Sequence, residues 1–400
     1  MKTTITNKKA LTALAIGGFG IGLTEFVIMG ILPDIAKGIG ITITEAGHFI
    51  AAYALGVVVG APFLTKFGSN LDARKILLLL MGWFTLFNTL SGMVDNYWML
   101  LVTRFLSGLP HGAFFGIGAV VAGKLAKEGK AAQAIAVMFS GLTLANVIGV
   151  PIGTYIGHQY DWSISFYMVG LVGLLAVSSV FYWMPNLPAE SGKIDSKEKK
   201  GLRNGELWAL ILLTTIGTGG FFAWYSYIAP LITDIGGWGD NMVGYAMVLA
   251  GLGMVIGNFV GAKMAELFSP LKAVAISLTL MVGLLLINSI VAFNPYILLA
   301  MTFLIGLAAF TVSTPIQMAI INTSKGNEML GSSMNQSAFN MGNASGAYLA
   351  GLPMAFGFSV VYAGIVGAVL AGMGVLMALG IILYRRHKAG YSFRQMVFNN

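Results

Sequence analysis

Glu25 stands in the middle of the apolar run FGIGLTEFVIMGILPDIA (Phe19 to Ala36), and Asp34 stands near its end. A second apolar run, RFLSGLPHGAFFGIG (Arg104 to Gly118), carries Arg104, Gly108 and His111. Offsets of four and seven put these three on one face if the run is helical. A carboxyl, a guanidinium and an imidazole in apolar surroundings can take up, hold and release a proton. Burial and a nearby cation act on the carboxyl in opposite directions, and imidazole titrates near neutrality. Nothing points to bond-breaking chemistry. There is no HExxH, no phosphate-binding Gly-Lys loop and no nucleophile motif, and the only histidines are His48, His111, His158 and His387. The absence of cysteine removes disulfides, thiolate metal sites and thiol redox chemistry. No metal and no cofactor are expected.

The composition says what must position these groups. The 400 residues are 57% hydrophobic and only 10% charged, with mean hydropathy +0.82. A soluble domain is about 25% charged, so this chain cannot cover a soluble particle of its size with polar surface. Apolar runs of about 20 residues recur throughout, the length that crosses about 30 Å of hydrocarbon as a helix. Charges, prolines and polar clusters divide the chain into twelve expected spans, near 10–32, 45–65, 75–94, 98–122, 131–157, 163–184, 206–229, 241–264, 271–292, 296–320, 328–351 and 358–384. The 53 glycines suit closely packed membrane helices. The first run is not expected to be a cleaved signal: it is long, holds Glu25 and lacks a small-residue cleavage site.

Lysine and arginine orient the spans. Lys66, Arg74, Lys75, Lys124, Lys127, Lys130, Lys263, Lys272 and Lys325 all fall on the same face as the termini; Lys37 is the one base opposite, among Asp34, Glu45, Asp95, Asp161, Asp234 and Asp240. By the positive-inside rule both termini are expected to be cytoplasmic. The net charge of +8 is therefore a matter of topology, and no nucleic-acid partner is expected. The polar stretch NLPAESGKIDSKEKKGLRNGE (Asn186 to Glu206) reads as a linker. The expected domains are a six-helix bundle at 1–185, a cytoplasmic linker at 186–205, a second six-helix bundle at 206–388 and a cytoplasmic tail at 389–400. The fold class is an all-α membrane protein of twelve transmembrane helices in two six-helix, pseudo-symmetric bundles.

Depth can be read from the rise of 1.5 Å per residue. Glu25 lies roughly 13 Å below Asp34, near the midplane, and it is the one acid placed deep in any span. Arg104 lies roughly 10 Å and His111 roughly 20 Å along span four, on either side of that depth. A membrane arginine costs about 3 kcal/mol on insertion scales, so Arg104 faces a cavity or partner, or snorkels to the nearby boundary. His111 reads either as a proton carrier or as a hydrogen-bonded structural group. Gln336, Asn340 and Asn343 form a polar stripe on span eleven, and Ser313, Thr314 and Gln317 lie beside Pro315 on span ten. Such amides bind a ligand or join helices. Trp224, Tyr225 and Tyr227, in GGFFAWYSYIAP, line a site or belong to an interfacial aromatic belt.

TEFVIMGILPDIA in span one, the Arg104–Gly118 run, ANVIGVPIGTYIG in span five and SSMNQSAFNMGNASGAYLAGL in span eleven together resemble the drug:proton antiporter branch of the major facilitator superfamily. They look most like its sugar-efflux, or arabinose-efflux-permease-like, subgroup. The resemblance covers nearly the whole chain. It implies two bundles rocking about a midplane site, and export in exchange for protons, driven by the proton gradient. It also implies a role in proton coupling for Arg104. Gly149, Pro151, Gly153 and Gly157 match the exporters' span-five motif in a GVPxG form, a packing and hinge element. The subgroup includes exporters of sugars, purines and drugs. A loop acid that the superfamily places after span two is missing: Leu64 and Thr65 stand there, and Asp72 comes later. After span eight, Glu266 lies nearer that place.

A proton-driven exporter of a small molecule is thus expected, with proton-coupled nutrient uptake as the alternative. It would act as a monomer with the bilayer, protons and a small-molecule substrate as partners, in a bacterial cytoplasmic (inner) membrane. A membrane enzyme lacks its constellation, and a receptor lacks its signalling domain.

Overall fold

The computed structural model describes residues 2–68, 70–187, 204–239 and 241–388. Most of the expected linker (188–203), Asp240 and the expected tail (389–400) lie outside them. The first half comprises α1 (Lys2–Gly30), the short α2 (Leu32–Ile39), α3 (Ile43–Gly68), α4 (Ala73–Ser91), α5 (Tyr97–Leu125), α6 (Ala131–Leu144), α7 (Val150–Gln159) and α8 (Trp162–Trp183). The second half comprises α9 (Gly205–Tyr225), α10 (Ile228–Pro230), α11 (Asn241–Leu267), α12 (Pro270–Val291), α13 (Pro295–Phe310), α14 (Ser313–Thr323), α15 (Glu328–Ala355) and α16 (Tyr362–Lys388).

The helix ends carry their chemistry locally. Asn96, Asp161, Asn204 and Asn294 cap α5, α8, α9 and α13 by accepting from the first-turn amides. Gly40, at φ 77°, ends α2 in the left-handed conformation. A π turn over Ala145–Gly149 joins α6 to α7 just before Pro151. The proline has no amide hydrogen to donate, and the wider turn absorbs the missing bond.

Among the described residues, eleven helices are long and apolar enough to cross a membrane. In that set α6–α7 make one continuous crossing and α13–α14 another, broken only at Thr311 and Val312. The expected eleventh span is α15. Its 28 residues reach about 42 Å, but Ser332, Ser333, Asn335, Gln336, Ser337, Asn340 and Asn343 lower its hydropathy below that of the others.

The two halves repeat one packing device. Added side-chain carbons on Gly56 and Gly60 of α3 would meet carbonyl oxygens of α5 at 2.2 and 2.1 Å, and one on Gly108 would meet the Tyr53 carbonyl at 2.2 Å. Carbons added on Gly253 and Gly257 of α11 would fall 2.1 Å from carbonyl oxygens of α13, and one on Gly306 would fall 2.4 Å from the Ala250 carbonyl oxygen. The same three-glycine contact, in equivalent helices, is the internal repeat that residue identity barely shows. Within the first half, an added carbon on Gly141 of α6 would fall 1.9 Å from the Ala15 carbonyl oxygen of α1. Backbone cannot yield as a side chain can. Gly141→Ala is therefore expected to lower the thermal unfolding midpoint in detergent, at a cost on the order of 3 kcal/mol. Gly82→Ala, where nothing lies within 4 Å, should leave it unchanged.

The halves meet where α15 crosses α3 and α5, and where α11 crosses α6. Thr65 donates to Ser333 (2.6 Å), Ser337 to the Val58 carbonyl (3.1 Å) and Asn258 to the Ala136 carbonyl (2.7 Å). Lys130 and Gln133 reach Glu266 across the same seam at 3.2 and 2.9 Å. Glu266 thus supplies a charged tie in one half. A hydroxyl pair, Thr65–Ser333, takes the corresponding place in the other, and Asp72 pairs locally with Lys75 at 2.9 Å.

All of these ties lie on the side of Lys2 and Lys388. On the α15 face that holds Ser337, the next positions outward, Met341, Ala344 and Tyr348, are exposed. The facing positions on α3 beyond Val58, Leu55 and Ala51, are exposed as well. The halves are joined at the end that holds the chain termini and splayed apart at the other.

Candidate functional site

Between the halves lies a cavity enclosing about 670 Å³ of non-protein space. α1 contributes Glu25 and Phe26, α5 contributes His111, and α6 contributes Phe139 and Leu142. From the second half come Thr218, Phe221 and Phe222 of α9, Phe310 of α13, Ser313 of α14, and Gln336, Phe339 and Asn340 of α15. Both halves thus build one wall each, and the polar groups sit in a largely aromatic surround.

Glu25 is half-buried and faces this cavity. Behind it, Arg104 is fully buried. Its guanidinium donates to the Thr24 hydroxyl (2.8 Å), the Thr24 carbonyl (3.3 Å) and Asn88 Oδ1 (3.5 Å). It lies over the rings of Tyr53 at 4.5 Å and Phe166 at 5.4 Å. This geometry removes the snorkelling alternative: Arg104 points inward, and Nε has no partner. Among the described residues no carboxylate pairs with it directly, and Glu25 is the acid whose charge interacts with it. Thr24 also donates to Asn88, whose amide nitrogen donates to the Phe84 carbonyl at 2.8 Å. The cation is thus fixed by neutral groups on α1 and α4, one residue from the cavity acid.

His111 is buried at the cavity wall, with Nδ1 3.0 Å from the Tyr53 hydroxyl and its ring 5.4 Å from Phe115. Tyr53 therefore touches both Arg104 and His111, one through its face and one through its hydroxyl.

The remaining sequence candidates divide. Gln336 and Asn340 line the cavity, whereas Asn343, one turn further along α15, does not. Gln317 also stands outside the lining, one layer behind Gln336. Trp224 and Tyr225 are buried behind Phe221, and Tyr225 stacks on it at 5.0 Å. Among the described residues neither the Trp224 indole nitrogen nor the Tyr225 hydroxyl has a hydrogen-bond partner. Tyr227 donates to the Ala347 carbonyl at 3.1 Å and joins α9 to α15. Asp34 is at the open end, paired with His158 at 2.6 Å. Gly149, Gly153 and Gly157 turn bare faces to Phe19, Val27 and Ile31, at 2.9, 2.7 and 2.5 Å from an added carbon. With Pro151 they seat span five on the helix that carries Glu25.

Sequence reading did not reach Tyr53, Thr24, Asn88 or the cavity phenylalanines. Asn88 carried a signal, an amide in the apolar run WFTLFNTLS. The phenylalanines carried none, since a cavity ring and a core ring have the same neighbours in sequence.

The comparisons follow this geometry. A family model described as Major Facilitator Superfamily matches residues 14–239. The putative transporter AraJ of Escherichia coli (strain K12) is 37% identical over 96% of this chain and 97% of its own length. The chain belongs to the major facilitator superfamily. A second relative, the inner membrane transport protein YdhP of Escherichia coli (strain K12), is 39% identical over 92% of this chain and 94% of its own. The solved E. coli fucose:proton symporter FucP shares the fold at TM-score 0.75, with 15% identity over 93% of this chain and 98% of that one. Like other members of the superfamily, the protein is a multi-pass membrane transporter of small molecules and not an enzyme.

Proposed function

We propose that this transporter exports a small organic molecule in exchange for protons, with Glu25 as the carboxyl that carries the proton. One observation bears most of the weight. Glu25 lines the cavity shared by both halves, while the adjacent Thr24 holds a fully buried arginine. A proton on Glu25 changes the charge facing both the ligand and Arg104, so occupancy of one site alters the other. The neutral cage of Thr24 and Asn88 holds the guanidinium whether or not Glu25 is ionised.

In this reading α15 is a twelfth crossing and both termini are cytoplasmic, which the distribution of basic residues supports; the membrane is a bacterial inner membrane. The cavity is then open outward and closed inward by Thr65–Ser333 and Lys130–Glu266. Alternating access breaks these ties and closes the outer faces of α3 and α15. The span-five glycines and proline support the export direction and the efflux subgroup. His111 and Asp34 take secondary places, one at the cavity and one at its mouth. The protein acts as a monomer and needs no cofactor beyond the gradient.

The direction is testable in inverted vesicles acidified inside, using the compound that most stabilises the purified protein in a screen of sugars, nucleosides, amphipathic drugs and dyes. Exchange predicts accumulation of that compound in the lumen as protons leave. Movement of compound and protons out together contradicts export and establishes uptake.

A further inference from the structure

The polar groups of the cavity have their hydrogen bonds directed by backbone carbonyls, which accept and cannot donate. The Gln317 amide nitrogen donates to the Ser332 carbonyl at 3.3 Å and to the Ser332 hydroxyl. This turns its Oε1 the other way, where it receives Asn335 Nδ2 at 2.5 Å and Gln336 Nε2 at 3.2 Å. Gln336 lines the cavity; among the described residues its oxygen accepts from nothing, and its nitrogen keeps one hydrogen beyond the bond to Gln317. Asn340 repeats the arrangement: its Nδ2 donates one hydrogen to the Gln336 carbonyl at 3.1 Å, which leaves Oδ1 and one amide hydrogen. Thr218 spends its hydroxyl proton on the Thr214 carbonyl at 2.6 Å, so it too can only accept from the cavity. Glu25, when ionised, accepts as well. His111 and Ser313 can present either polarity, and among the described residues no lysine or arginine lines the space.

Four acceptors in a wall of phenylalanines define a ligand by exclusion. A carboxylate or phosphate would meet four acceptor oxygens and no cation, with only the second amide hydrogens of Gln336 and Asn340 to receive it. A sugar would satisfy the acceptors but would leave its own hydroxyl oxygens facing aromatic faces, and unpaired polar groups cost binding. An ammonium group donates to the oxygens, is attracted by ring faces and brings the charge that matches Glu25. We infer that the cavity takes organic ammonium ions with N–H donors on an aromatic or otherwise apolar body. Gln317, outside the cavity, is the positioning residue that sets this polarity. The inference rests on the reading of the cavity as the transport site.

The test is equilibrium binding to the purified full-length protein, with no gradient, using matched probes: naphthylethylammonium, its N-trimethylated form, naphthylpropanoate and glucose. The primary ammonium should bind at least ~100-fold tighter than the carboxylate and ~10-fold tighter than the trimethyl form, which keeps charge and rings but loses the donors. In Gln317→Leu the Gln336 amide is released to turn. The ~10-fold preference for the primary over the trimethylated ion should shrink to about 3-fold, a change in selectivity that loss of folded protein would not produce. Gln336→Leu should shrink it similarly, so the proposal stands or falls even where one variant fails to fold. Equal binding of ammonium and carboxylate, equal binding of primary and trimethylated ions, tighter binding of glucose, or no binding of the ammonium at millimolar concentration would each overturn it. Phe222→Ala separates the two levels. If it abolishes binding of another ligand class, the cavity is the site and the ligand class is wrong. If it leaves ammonium binding untouched, the cavity reading itself has failed.

Discussion

Glu25→Gln should abolish proton-driven transport and weaken binding of a cationic compound, while exchange of labelled for unlabelled compound at equal pH persists at saturating concentration. Glutamine keeps the size of the protonated acid, can never ionise, and so holds the cavity in one charge state. Exchange needs only that a loaded carrier change sides, whereas net transport against a gradient needs the proton to leave on one side and return on the other. The Arg104 cage makes this prediction specific. The guanidinium is held by Thr24 and Asn88 rather than by Glu25, so removing the charge at position 25 does not strip it of its partners. The fold should therefore survive, and the thermal midpoint measured beside the transport assay should shift little. Loss of exchange together with net transport would instead make Glu25 a structural acid.

Gly116→Val should lock the transporter away from the conformation described above. An added carbon on Gly116 would lie 1.9 Å from the Ser333 hydroxyl oxygen and within 2.5 Å of the Ser333 backbone. These residues belong to opposite halves, so the clash exists only while the halves are closed on the side of the termini. Overpacking of about 1–3 kcal/mol moves the balance between conformations by roughly 5- to 150-fold. The chain holds no cysteine, so a single Tyr348→Cys on the exposed outer face of α15 reports the balance without background. Its labelling by an impermeant maleimide should be fast alone and slow in combination with Gly116→Val. Unchanged labelling would mean that the halves do not rock about this seam. The contrast with Gly141 is informative, because that glycine packs α6 on α1 within one half and its substitution should penalise every conformation alike.

The order and lengths of the helices were largely legible because apolar length and charge distribution are one-dimensional signals. Lys66, Lys130 and Lys263 marked one face without any knowledge of packing. α15 was legible as a helix of spanning length only through its place in the alternation, since its amides pull it below the hydropathy of its neighbours. Glu25, Arg104, His111, Gln336 and Asn340 were legible because charge or amide in an apolar run is expensive and conspicuous. Offsets along one helix could not show that Gln317 stands behind Gln336, that Asn343 turns away from the cavity, or that Tyr53 bridges Arg104 and His111. Those relations join helices far apart in the chain, and nothing local encodes them. Trp224 and Tyr225 show the limit well: the aromatic cluster was visible, yet the cavity takes its neighbours Phe221 and Phe222, because helical phase decides which rings face inward.

The central claim is that a proton on Glu25 and a molecule in the cavity are exchanged for one another. The most direct measurement is the luminal pH of proteoliposomes to which the best-binding compound is added outside, with no initial pH difference. The account predicts that the lumen turns alkaline as compound enters and protons leave, and that Glu25→Gln vesicles show no change. Acidification of the lumen, or an alkaline shift undiminished in Glu25→Gln, would contradict it.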